Sequence, residues 1–184
     1  MIDPTRLPDD LPVPEDDGAA DHLRGAPLPP VSLPATDGST VRLDELPGLS
    51  VVVAYPRTGQ PGKEPPGGET AWNAIPGARG CTPEVCSFRD ERARFAERGA
   101  RLFGLSTQDT DYQREAVERL HLPYPLLSDA ALELTRALDL PTFAVDGLTL
   151  IKRLTLIVRD GVIEDVVYPV FPPDRGAELA LARL

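Results

Sequence analysis

Between Leu49 and Tyr55 the chain is apolar, with three successive β-branched valines at its centre and Ser50 the single polar residue. That is a strand's length, and a strand with no polar side to give to water has to be covered on both faces. The residues on either side supply the cover. Val31–Leu33 and Thr40–Leu43 flank Asp37-Gly38, a turn signal that predicts a short hairpin. After the strand, residues 56–80 are rich in proline and glycine and are expected to form a long loop. Thr82 to Arg98 then reads as a helix, with Pro83 in its first turn, where no intrahelical N–H is needed. Val85, Phe88, Arg92 and Phe95 fall on one face of it.

Gly99 stops that helix, and Arg101–Ser106 reads as the next strand. Asp111–His121 is expected to be helical and is ended by Pro123. Tyr124–Leu127 suits a short edge strand, since Pro125 cannot serve a central one. Ala130–Leu140 is expected to be a helix capped by Asp129. Arg153–Val158 and Val162–Tyr168 form a hairpin around Arg159-Asp160-Gly161, and Asp174–Leu184 closes the chain as an amphipathic helix. Strands alternating with helices give an α/β domain with helices on both faces of its sheet.

The length of 184 residues fits one domain, and 41 % apolar residues suffice for its core. The 21 prolines argue against a helical bundle. Residues 1–25 read as an acidic, proline-containing arm, mobile or loosely docked, ahead of a domain spanning 26–184. The first 24 residues hold seven acidic and two basic side chains, half of the net charge of -10. So acidic a surface disfavours nucleic acid and anionic membranes as partners. The amino terminus has no basic start followed by an apolar run, and the protein is expected to be cytoplasmic. In that setting two cysteines five residues apart point to chemistry rather than to a structural staple.

Cys81 follows a strand and a loop and opens a helix. The first turn of a helix offers unpaired N–H groups and the positive end of the dipole, which lower a thiol's pKa and favour the nucleophilic thiolate. Cys86 sits deeper in the helix and is expected to be the weaker nucleophile. Ideal helix geometry puts residues i and i+5 about 8.7 Å apart at Cα, beyond the roughly 6.8 Å that a disulfide spans. The two sulfurs can therefore join only if the first turn or two unwinds. An inert buried pair remains open as a second reading. A metal site is disfavoured, because His22 and His121 lie in unrelated segments. The four intervening residues also rule out a C-x-x-C oxidoreductase.

Gly80-Cys81-Thr82-Pro83-Glu84-Val85-Cys86-Ser87-Phe88-Arg89-Asp90 resembles the peroxidatic segment of peroxiredoxins, on the branch of the bacterioferritin comigratory proteins. The similarity continues through Phe103–Thr107, Leu122–Asp129 and Lys152–Val158. The resemblance implies a thioredoxin-like fold, a central mixed β-sheet flanked by helices on both faces, working without a cofactor. It implies that Cys81 attacks hydrogen peroxide or an organic hydroperoxide and becomes a sulfenic acid. Cys86 then resolves it as an intramolecular disulfide, and a dithiol donor such as thioredoxin recycles the pair. Arg153 matches the family arginine that stabilises the thiolate and polarises the peroxide, and Glu84 and Arg89 match the groups that position it. The assembly would be a monomer or a homodimer.

The chain departs from the family pattern three residues before Cys81, where Ala78 replaces a threonine or serine. Thr58 and Thr82 are the candidates to supply the missing hydroxyl. Residues 60–74, with the chain's single tryptophan Trp72, resemble an insertion that is either a lid or partner surface, or a tolerated loop. A thiol-based redox sensor with little turnover is the competing function, and Ala78 is the feature that leans that way. A domain of this fold with no redox role is a third.

Overall fold

The computed structural model describes residues 7–184. Its centre is a five-stranded mixed sheet made of β3 (Leu49–Ala54), β4 (Arg101–Ser106), β5 (Leu126–Ser128), β8 (Leu154–Arg159) and β9 (Val162–Val167), in the order β5-β4-β3-β8-β9. β3 pairs parallel with β4, and β4 with β5, whereas β8 runs antiparallel to both β3 and β9. The short hairpin β1 (Ser32–Pro34) and β2 (Thr40–Arg42) precedes the sheet. β3 is central, and all six of its residues are buried. Its alternating side chains explain the apolar run. Leu49, Val51 and Val53 enter one core and Val52 and Ala54 the other.

The first face is covered by α2 (Cys81–Asp90), α3 (Arg92–Glu97), α4 (Thr110–Leu120) and α6 (Gly176–Leu181), through Val85, Phe88, Phe95, Ala116, Leu120 and Ala180. The second is covered by α5 (Glu133–Ala137) with the amino-terminal segments, through Leu134, Leu23, Leu33 and Leu43. Residues 1–6 of the expected arm lie outside the described residues. Of the remainder, Ala20 and Leu23 are buried in the second core, and Asp17 accepts hydrogen bonds from Lys152 Nζ (2.6 Å) and Tyr168 OH (2.7 Å). A short apolar turn is enough to seat an otherwise polar segment.

Several boundaries differ from the sequence reading. The helix expected over Thr82–Arg98 is two helices, because Glu91 leaves helical geometry at φ -94°, ψ 6°. The break keeps Phe88 and Phe95 stacked, ring centroids 5.4 Å apart, while Arg92 turns out to solvent. The expected Ala130–Leu140 helix shortens to α5. Its N-cap is Leu132 rather than Asp129, yet the Asp129 carboxylate reaches the helix start and accepts from the N–H groups of Leu134 and Thr135 and from the Thr135 hydroxyl. The closing helix is a 3₁₀ turn, Pro173–Arg175, followed by α6.

The loop expected over 56–80 contains α1 (Glu69–Ala74). A further hairpin, β6 (Thr142–Val145) and β7 (Leu148–Ile151), turns on Asp146-Gly147. The two meet. Trp72 is 4 % exposed, packs with Ala78 and Leu150, and tilts against Phe143 at a ring-centroid distance of 6.2 Å. No helix of the described residues is long and apolar enough to cross a membrane.

Candidate active site

β3 and β4 are parallel, so their carboxyl ends open on the same edge of the sheet, where α/β folds gather their functional groups. The chain leaving β3 carries Arg57 and Thr58, the chain leaving β4 carries Gln108, and α2 begins above them with Cys81. Gly80, at φ 104°, makes that start possible, since a Cβ there would strike the Pro173 ring.

Cys81 is 2 % exposed. Its Sγ accepts hydrogen bonds from the backbone N–H of Arg57 (3.3 Å) and from Arg153 Nη2 (3.3 Å), and its thiol donates to the Ala78 carbonyl at 3.5 Å. Arg153, just ahead of β8, is itself buried. Nη2 also donates to the carbonyls of Gly77 and Arg79, both at 3.1 Å, while Nη1 is paired with the fully buried Glu84 carboxylate. The turn ahead of α2 is thus held by the same guanidinium that faces the sulfur.

The electrostatics correct one expectation. Burial pushes the Cys81 thiol above its ordinary pKa; Arg153 and the Arg57 N–H pull it back, and Glu84 adds to the rise. Arg153 and the Arg57 N–H therefore offset part of the cost of drying the sulfur rather than making it a strong acid outright. Burial likewise raises the Glu84 carboxyl, to about 7, against the pull of Arg153. One guanidinium serves two acids.

Thr58 is fully buried. Its N–H and its hydroxyl both donate to Gln108 Oε1 (3.0 and 3.1 Å), and its carbonyl accepts from Gln108 Nε2 (3.3 Å) and Tyr112 OH (3.1 Å). The Arg57 guanidinium stacks 4.4 Å from the Tyr112 ring centroid. Thr58, Thr82 and Cys81 line one cavity of ≈ 40 Å³. The Thr82 hydroxyl is buried and has no hydrogen-bond partner among the described residues. Cys86, half-buried, lies within the unbroken helix α2, and both cysteines are free thiols. Arg89 bonds Asp90 and the Leu120 carbonyl, joining α2 to the end of α4. Tyr124 OH donates to the Val85 carbonyl at 2.6 Å, between the two cysteines.

The sequence reading did not single out Gln108, Tyr112, Tyr124 or the Arg57 backbone. The position of Gln108, two residues past a buried strand, was the available signal; an amide N–H and a distant tyrosine carry none.

A buried cysteine at a helix start, faced by an arginine at the carboxyl edge of a mixed sheet, is the kind of arrangement that thiol redox chemistry needs, on a sheet of the thioredoxin-like class. Comparison with known proteins narrows the class. The redoxin family model matches residues 23–181. Chloroplastic peroxiredoxin Q of Gentiana triflora is 29 % identical over 159 residues, covering 86 % of this chain and 64 % of the relative. A putative peroxiredoxin of Mycobacterium tuberculosis is 36 % identical over 106 residues, 57 % of this chain and 69 % of the relative. The chain thus spans just under two thirds of the plant protein's length.

Among solved structures, peroxidoxin BcpB from Mycobacterium tuberculosis superposes with a TM-score of 0.68 at 29 % identity, over 86 % of this chain and 94 % of that one. Bacterioferritin comigratory protein of Xanthomonas campestris gives 0.65 at 21 %, over 95 % of both, a likeness of fold. The chain belongs to the redoxin family, as a peroxiredoxin of the bacterioferritin comigratory type.

Proposed function

We propose that the protein is a two-cysteine peroxidase that reduces hydroperoxides through Cys81. The observation that carries this reading is the contact of Arg153 Nη2 and the Arg57 N–H with Cys81 Sγ, both at 3.3 Å. These donors stabilise a thiolate, and the same guanidinium stands where charge develops as a peroxide O–O bond breaks. Cys81 thiolate attacks the terminal oxygen, the O–O bond breaks, and the departing alkoxide or hydroxide takes up a proton. Cys81 is left as a sulfenic acid. The Cys86 thiol then displaces that hydroxyl as water, forming the Cys81–Cys86 disulfide. A dithiol donor of the thioredoxin kind returns two electrons and two protons.

Both cysteines lie on α2, so the disulfide requires its first turns to unwind. The hydroxyl missing at Ala78 is supplied in this reading by Thr58. It shares the cavity with Cys81, follows the residue whose N–H bonds the sulfur, and is braced by Gln108 and Tyr112. Arg89 acts at a distance, by tying α2 to α4.

Steady-state peroxide consumption with a thioredoxin system tests the assignment. Cys81→Ser should abolish turnover. Cys86→Ser should consume one equivalent and then stall. Stoichiometric oxidation of the wild type, without donor-linked cycling, would instead make it a redox sensor.

A further inference from the structure

The peroxidase reading leaves open which hydroperoxides reach Cys81, and the segment between β3 and α2 bears on that. Cys81 is 2 % exposed, and the cavity that touches it is lined by Lys63, Pro65, Pro66 and Trp72 together with Thr58 and Tyr112. The first four belong to the insertion. Its wall is fixed at its far end: the Trp72 ring is buried against Ala78, Leu150 and Phe143. Pro65-Pro66 stiffens the near end, since a proline ring locks its own φ. A tolerated surface loop has no reason to bury an indole in this way.

The cavity measures ≈ 40 Å³ and is partly open to solvent. Hydrogen peroxide, alone or carrying a short unbranched alkyl group, is slim enough to reach Cys81 between these walls. A branched or aromatic carbon attached directly to the O–O group would have to press against Trp72 and the two prolines as the peroxide reaches Cys81.

We propose that the insertion, through Trp72 and Pro65-Pro66, is a size filter that restricts Cys81 to hydrogen peroxide and small, unbranched alkyl hydroperoxides. This rests on the peroxidase reading above. Trp72 touches substrate only by exclusion, and is a specificity-determining residue rather than a catalytic one.

The test is kcat/KM for hydrogen peroxide, tert-butyl hydroperoxide and cumene hydroperoxide, in the wild type, Trp72→Ala, Trp72→Phe and Pro65→Gly/Pro66→Gly. Close apolar packing, of the kind Trp72 and the prolines offer, discriminates about 10–200-fold per methylene. The wild type should therefore prefer hydrogen peroxide over cumene hydroperoxide by about tenfold or more. Each variant should raise the cumene-to-hydrogen-peroxide ratio, Trp72→Ala the most. If Trp72→Ala does not fold, Trp72→Phe keeps an aromatic ring in the apolar cluster, and the double glycine variant leaves the cluster untouched. Equal use of all three hydroperoxides by the wild type would overturn the filter and leave the peroxidase intact. So would a ratio unchanged in every folded variant. If no hydroperoxide changes the mass of Cys81, the peroxidase reading itself fails and the filter goes with it.

Discussion

Arg153 faces Cys81 Sγ with Nη2, at 3.3 Å, while Nη1 of the same guanidinium is paired with Glu84. Removing this residue should be the most damaging change at the site short of the nucleophile. Arg153→Met is expected to raise the Cys81 pKa further, because burial would then be opposed by the Arg57 N–H with no nearby cation. Peroxide reactivity should fall by about 10²–10³-fold, the scale of one preorganised donor. Arg153→Lys should recover little of it, since an ammonium cannot face both acids as a planar fork does. The pH dependence of thiol alkylation reads the first effect and stopped-flow peroxide oxidation the second.

Glu84 makes the site sensitive to pH. In the folded chain its carboxyl is raised to about 7, against an ordinary value of 4.5. Between these values the native protein holds a proton that the unfolded chain has lost, so stability from this group falls as pH rises. Glu84→Gln should flatten that fall, measured as denaturation midpoints at about pH 5 and about pH 8. It should also lower the Cys81 pKa, since the carboxylate pushes the thiol up. A thiol pKa unchanged in Glu84→Gln would contradict the shared guanidinium.

The Tyr124 hydroxyl bonds the Val85 carbonyl at 2.6 Å, inside the stretch of helix that must open for the two sulfurs to meet. Tyr124→Phe removes that tether and leaves the ring in place. A hydrogen bond of about 1 kcal/mol corresponds to about fivefold in rate. Disulfide closure after oxidation should accelerate by about that factor, while the first oxidation keeps its rate. Rapid-quench thiol counting separates the two steps.

If Thr58 replaces the hydroxyl missing at Ala78, Thr58→Val should slow peroxide oxidation of Cys81 by about 10²-fold. Thr58→Ser should restore most of it. Thr82→Val should matter far less. The reverse ranking would move the role to Thr82, whose buried hydroxyl has no hydrogen-bond partner among the described residues.

The cysteine segment and the central strand were legible because each carries its own physics: a thiol at a helix start, and a run too apolar to face water. The β6–β7 hairpin was missed although Asp146-Gly147 advertised it, because the flanking residues do not alternate cleanly in burial. Helix α1 was hidden in a segment whose prolines and glycines read as loop. It is six residues long and is held by one tryptophan against a hairpin distant in sequence. The break at Glu91 had no breaker residue to announce it. The rise in the Cys81 pKa was out of reach as well, because burial from all sides is a property of the assembled core.

The proposed chemistry fixes where oxygen and electrons go when peroxide meets the thiols. Intact-mass and non-reduced peptide analysis after one equivalent of hydrogen peroxide decides it. The wild type should lose two hydrogens and yield a Cys81–Cys86 linked peptide, and Cys86→Ser should gain a single oxygen at Cys81. An unchanged mass, or oxidation that persists in Cys81→Ser, would contradict it.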